Sequence, residues 1–225
     1  MSFYYRLHIT YPGKYIYYID IDPQQALQLK LKVKLREDLY MEKVNINNLF
    51  YKKNYKSPLG DIILVSDEHK IIGLYVGKHK YLKTIISEDI IEGENIPILQ
   101  EGIGWLDDYF AGKQPDLSRL CLDPKGGEFR QEVWKLLLEI PYGEITTYGE
   151  IGKKLAKRMG KEKMSAQAVG GAVGHNPISI IIPCHRVVGS SGSLTGFSGG
   201  INIKIKLLEL EGVDMSKLFV PKKPL

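Results

Sequence analysis

The tripeptide Cys184-His185-Arg186 sets the most reactive side-chain types of this sequence side by side. A thiolate is a strong nucleophile, but an ordinary thiol near pKa ~8.5 needs a base or a positive charge to ionise at neutral pH. His185 is of the type that supplies the base and Arg186 of the type that supplies the charge. A buried cysteine is more often a small hydrophobe, so the neighbours must carry the argument. Residues 178–182 (ISIII) form a continuous β-branched run, which predicts a buried strand ending at Pro183 and Cys184. Strand ends are a usual place for reactive groups. Adjacent residues on an extended chain point opposite ways, so His185 is expected to reach the sulfur through a turn or a bridging water. Glu211 follows the last predicted helix and is the candidate to orient His185.

The elements that must position these groups read as follows. Residues 61–66 (DIILVS) and 71–76 (IIGLYV) are predicted strands joined by a hairpin turn at 67–70. Residues 96–110 carry apolar side chains at helical spacing, ended by Ala111 and Gly112, and 114–125, with two prolines and no apolar period, reads as a linker. A helix is predicted over 128–140, stopped by Pro141-Tyr142-Gly143. A second runs from a Thr146 or Thr147 cap through Arg158, and a third, short one runs over 166–173 after Ser165 and ends at Gly174. The last two, joined by a tight basic turn containing Gly160, resemble a helix-turn-helix. Ala168, Gly170, Gly171 and Ala172 make the third helix slim enough for close approach to a core or a nucleic-acid groove. A closing helix is expected over 203–210. Residues 15–21 and 27–35 read as strands, but residues 1–50 carry no legible chemistry.

The chain has 225 residues, 44% hydrophobic and 25% charged, which suits one globular unit or two small ones and excludes collagen, disorder and a disulfide scaffold. Cys121 and Cys184 are far apart, and His8, His69 and His79 show no ligand-pair spacing with them, so no metal site is expected. The start lacks a secretory pattern and no apolar run is long enough to span a bilayer, which predicts a soluble cytoplasmic protein, nuclear if the source is eukaryotic. The net charge of +5 is mild, but Lys153, Lys154, Lys157, Arg158, Lys161 and Lys163 crowd into one short stretch with a single acid, Glu162. Taken alone, such a run reads as a solvated helix face. No exposed heptad or long apolar patch is readable, so a monomer is expected.

The string PCHRVV, preceded by AVGGAVGHNPISII and followed by GSSGSLTGFSGG, resembles the signature of the O6-alkylguanine-DNA alkyltransferases, also called methylated-DNA–protein-cysteine methyltransferases. The likeness extends from about Tyr55 to Gly212. It implies an α+β fold: a small ribonuclease-H-like sheet domain over 51–120, then a mostly helical, winged-helix-like domain over 121–215 carrying the helix-turn-helix and the cysteine. Residues 1–50 would be an extension and 216–225 a tail. It further implies single-turnover repair of O6-methylguanine, and of O4-methylthymine, in double-stranded DNA approached from the minor groove, with no cofactor. Cys184 would accept the alkyl group, His185 would deprotonate it through water, Glu211 would hold His185, Asn176 would brace the hinge before the cysteine, and Tyr148 would donate to the departing guanine. Ser198 would bond near the substrate oxygen, the carbonyls of Cys184 and Val187 would read the exocyclic amine, and Phe197 and Val173 would line the pocket. DNA contacts would come from Ser165, Ala166, Gln167, Arg186, Lys153 and Lys163. The sequence departs from the family pattern at Gln167, where an arginine finger is usual, and at Phe197, where tyrosine is frequent.

Three other readings use the same residues: a non-catalytic alkylguanine binder of the same fold, a helix-turn-helix transcription regulator with a structural or redox-sensing cysteine, and a cysteine hydrolase. The binder should lack the acceptor cysteine, the regulator should prefer one DNA sequence, and the hydrolase should turn over repeatedly.

Overall fold

The computed structural model describes residues 4–10, 16–21, 39–44, 50–77 and 90–222. The chain divides into two compact units, Met1–Leu49 and Phe50–Leu225. In the first, β1 (Tyr4–Thr10) lies between β2 (Ile16–Ile21) and β3 (Leu39–Val44), antiparallel to both. The strand expected over 27–35 lies outside the described residues.

The second unit begins with a four-stranded sheet of order β6-β5-β4-β7, made of β4 (Phe50–Ser57), β5 (Gly60–Ser66), β6 (Ile71–Val76) and β7 (Ile90–Glu92). Strands β4 to β6 form an antiparallel meander and β7 runs parallel to β4. The 67–70 turn forms as expected because Asp67 Oδ1 accepts from the backbone N–H of His69 (2.8 Å) and of Lys70 (2.7 Å). Helix α1 (Pro97–Phe110) covers the sheet, with Pro97 in the first turn, where its missing N–H costs nothing. It buries Ile98, Leu99, Trp105, Leu106 and Tyr109 in one core with Ile62, Leu64, Ile71 and Leu74. Gly102 sets the spacing of the two layers, since a Cβ there would sit 2.5 Å from Leu64 Cδ2.

The stretch read as a linker is partly ordered against β6. Asp116 caps a 3-10 turn at Leu117–Arg119, and Leu122 then forms a parallel bridge with Ile71. Helix α2 (Glu128–Leu138) follows and ends before Ile140, because Pro141 disfavours helical backbone in the residue before it. Then come β8 (Thr146–Thr147), α3 (Tyr148–Arg158) and α4 (Ala166–Gly174), the expected pair of short helices. Thr147 caps α3 in a reciprocal capping box with Glu150, and Ser165 caps α4. Trp134 of α2 is buried and donates its Nε1–H to the Ala172 carbonyl of α4 at 3.0 Å, which fixes α4 on the core.

Residues 178–182 are buried as expected but are not a strand. Only Ile178 pairs, in a bridge to Leu74 of β6, after which the chain turns back on itself through Ile181 N–H to Ser179 O (2.9 Å) and Ile182 N–H to Ile178 O (2.9 Å). Ile180 has φ +69°, a left-handed conformation that costs a β-branched residue on the order of 1–3 kcal/mol. Continuous apolar character reports burial, not backbone direction, which is why the run misleads. Cys184–Arg186 form a 3-10 turn, β9 (Val187–Val188) pairs parallel with β8, and α5 (Ile201–Leu210) closes the unit. Residues expected as a tail pack back, with Phe219 bridging Ser193. No helix among the described residues is long and apolar enough to cross a membrane.

Candidate active site

Cys184 sits at the start of the 3-10 turn, only 4% exposed. Asn176 braces the segment before it from both ends. Its Nδ2 donates to Ile182 O at 2.7 Å and its Oδ1 accepts from Ile178 N–H at 3.0 Å, closing the irregular bulge into a loop. His185 follows Cys184 within the 3-10 turn, not along an extended strand.

His185 is fully buried, and its Nε2 lies 2.8 Å from Glu211 Oε1. Glu211 also accepts from Tyr109 Oη–H (2.7 Å), from Arg186 Nε (2.7 Å) and Nη2 (2.9 Å), and from Gly143 N–H (3.3 Å). Gly143 is required there, because its φ is +77° and a Cβ would come within 2.8 Å of the Glu211 carbonyl oxygen. Burial alone would raise the Glu211 carboxyl, but the bonds from His185 and Arg186 overcome it and hold the group ionised far below the usual carboxylate range. A carboxylate can only accept, so Nε2 carries the hydrogen and Nδ1 is the bare lone pair. That Nδ1 is buried and has no hydrogen-bond partner. Burial pushes the His185 pKa down against the pull of Glu211, so the ring is neutral at pH 7 and is a base with its lone pair free.

Burial pushes the Cys184 thiol up, while Asn176, Lys204 and the backbone N–H groups of Cys184 and His185 pull it down less strongly. The resting group is therefore a thiol that must give up its proton to react. Tyr148, at the start of α3, is half-buried and donates its hydroxyl to Thr195 O at 3.1 Å; burial raises its pKa, and Cys184 adds to the rise. The Phe197 ring stands edge-on to His185 at 6.4 Å between centroids. Val173 and Val187 are buried in the same core as Cys184. Ser198 Oγ donates to Gly174 O at 3.1 Å, tying its loop to the end of α4. Among the described residues no group of three His, Cys, Asp or Glu is placed to hold a metal ion.

One expected contact is corrected. Arg186 is only 8% exposed, with Nε and Nη2 on Glu211 and Nη1 on Ile140 O at 2.6 Å, so it clamps the His185 orienter instead of facing solvent. Adjacency to Cys184 hid its direction. The other expected DNA contacts, Lys153, Lys163, Ser165, Ala166 and Gln167, are all exposed on or beside α3 and α4. Sequence reasoning missed Tyr109 and Lys204. Lys204 was findable: Leu207, Leu208 and Glu211 follow it by three, four and seven residues, which puts all four on one helix face.

Residues 50–124 match the ribonuclease-like domain of 6-O-methylguanine DNA methyltransferase, and residues 128–213 match its DNA binding domain. A methylated-DNA–protein-cysteine methyltransferase of Methanosarcina acetivorans is 43% identical over 164 residues, covering 72% of this chain and 98% of the relative. This chain belongs to that family. A second methylated-DNA–protein-cysteine methyltransferase, from Haemophilus influenzae, is 40% identical over 72% of this chain and 87% of its own length. The crystal structure of Mycobacterium tuberculosis OGT in complex with DNA matches with TM-score 0.62 and 39% identity, covering 72% of this chain and 92% of that one. The family likeness thus spans the second unit, with its sheet domain followed by a helical one.

Proposed function

We infer that this methyltransferase repairs DNA by moving the alkyl group of O6-methylguanine onto Cys184, once per molecule. The observation that carries the mechanism is the His185–Glu211 pair, which leaves a buried neutral imidazole with its Nδ1 lone pair free on the residue next to a buried thiol.

The target atom lies inside the base stack, so the nucleotide is flipped out at a cost of a few kcal/mol. The Cys184 thiol gives its proton to His185 Nδ1 across one water. The sulfur then attacks the alkyl carbon in line: an S–C bond forms, the C–O6 bond breaks, and its electron pair leaves with guanine. The Tyr148 hydroxyl, released from Thr195 O, donates to the leaving base, and the proton that His185 took from the thiol returns to the Tyr148 phenolate, so that guanine leaves neutral and both side chains are restored. O4-methylthymine presents the same C–O bond to the same sulfur. The product is a thioether, which water does not hydrolyse, so the protein is spent, and the sequence of steps calls for no cofactor.

The remaining roles fit around this path. Val173, Phe197 and Val187 line the pocket, Ser198 exchanges Gly174 O for the substrate, and the Cys184 and Val187 carbonyls read the exocyclic amine. Duplex DNA lies on α3 and α4 through Lys153, Lys163, Ser165, Ala166 and Gln167, with the slim helix in the minor groove. The protein acts as a monomer, since Ile145, Phe219 and Val220 are the exposed large apolar residues among those described. Two free cysteines suit a reducing compartment, the cytoplasm or a nucleus.

The test is a titration. With O6-methylguanine duplex in excess, methyl transfer stops at one equivalent per protein; continued turnover would make Cys184 a hydrolytic nucleophile and sink the reading.

A further inference from the structure

Lys204 is fully buried in α5, yet none of the five hydrogen bonds to the Glu211 carboxylate involves it. Its ammonium donates to Val187 O at 2.6 Å and to Thr195 O at 3.1 Å. Thr195 O is also the acceptor for the Tyr148 hydroxyl, so one cation ties the residue after the reactive turn to the loop that holds the tyrosine. A buried ammonium ordinarily finds a carboxylate or loses its proton. Lys204 forms no ion pair with an acid among the described residues, and its nearer anchor, Val187 O, belongs to the residue that directly ends the Cys184–Arg186 turn. Burial lowers its pKa to about 8, which leaves it mostly charged at neutral pH. The other titratable groups of the site are the His185 ring, whose pKa burial lowers, the Arg186 guanidinium and the Glu211 carboxylate, which are paired with each other, and the Tyr148 hydroxyl, which shares Thr195 O with Lys204.

We propose that Lys204 is the positioning cation of the acceptor thiol: pinned by two carbonyls with no acid beside it, its charge is partnered only when Cys184 becomes a thiolate. The inference rests on the alkyl-transfer reading and deepens it. His185 removes the proton, and Lys204 makes the resulting anion tolerable in a buried site. The interaction lasts only until the sulfur is alkylated, because a thioether carries no charge. Lys204 thus serves the reaction at the expense of the fold, and its removal should not cost stability.

The experiment uses the full chain in a Cys121→Ser background, so that Cys184 alone reports. Its pH–rate profile is measured with iodoacetamide and, separately, with O6-methylguanine duplex, for wild type, Lys204→Met, Lys204→Gln and Lys204→Arg. The expected result for Lys204→Met and Lys204→Gln is a thiol profile moved at least one pH unit upward, about a tenfold loss of rate at neutral pH for both reagents, and thermal stability equal to wild type or higher. Lys204→Arg, which keeps the charge, stays nearer the wild-type profile. The stability gain of Lys204→Met over wild type should shrink as pH rises from about 8 towards 10.5: the unfolded chain still binds the lysine proton there, while the folded one releases it. A rate loss with an unmoved profile, or a Lys204→Met chain that unfolds, makes Lys204 a structural anchor and overturns the proposal. If wild type ignores the lesion while the iodoacetamide profiles still separate, the DNA reading fails and the role of Lys204 stands.

Discussion

Replacing one oxygen of Glu211 by nitrogen asks how the base is held. The carboxylate receives five hydrogen bonds from Tyr109, His185, Arg186 and Gly143, all of them buried or half-buried. In Glu211→Gln the Arg186 guanidinium loses its counter-charge inside the protein, which costs roughly 3–5 kcal/mol. The His185 tautomer also loses the acceptor that fixes it, and methyl transfer should slow by roughly 10²–10⁴-fold. Denaturant unfolding and single-turnover kinetics measure the two effects, and a folded variant with wild-type rate contradicts the role assigned to Glu211. At this scale residue types pointed to Cys184, His185 and Glu211, whose chemistry they announce, and the family resemblance added Asn176. Sequence reasoning misjudged Arg186 and passed over Lys204 for a single reason: long cationic side chains are presumed to face water, and only the three-dimensional neighbours reveal where they turn.

Among the elements, the reactive turn is held between a helix pair and a sheet edge. Strand β8 enters α3 through the Thr147 cap while pairing with β9 just after Arg186, so the cap belongs to the site as well as to the helix. Thr147→Ala should cost about 1 kcal/mol in denaturant unfolding, with a smaller change in transfer rate than Glu211→Gln gives. An unchanged stability would mean that the cap is replaced by water. Most helices were legible to within a residue or two, since caps, prolines and apolar spacing are local signals. The 178–182 run was not. Its bulge is imposed by distant partners, Leu74 on one side and Asn176 on the other, and by the positive φ of Ile180, none of which a local pattern encodes. The ordered stretch at 116–123 was missed likewise, because its pairing partner Ile71 lies far away in sequence.

For the whole molecule, DNA affinity should divide between charge and shape. Lys153 and Lys163 are exposed and show no ion pair among the described residues, so they are free to meet phosphates. Replacing either by alanine should weaken binding evenly across sequences and reduce the slope of log affinity against log salt by about 1. Gln167, exposed in the first turn of α4, hydrogen-bonds and fills space but lacks the charge and stacking of a guanidinium. Gln167→Arg should therefore tighten DNA binding or speed transfer; if it alters neither, base extrusion here does not depend on that position.

The central claim is that one buried sulfur takes the carbon. Protein incubated with O6-methylguanine duplex is digested and the peptide containing Cys184 is weighed. The expected result is a gain of one methylene on that residue, equal in amount to the guanine restored, with none on Cys121 and none in Cys184→Ala. An unmodified Cys184 peptide beside repaired DNA, or a lesion left intact by folded protein, would contradict it.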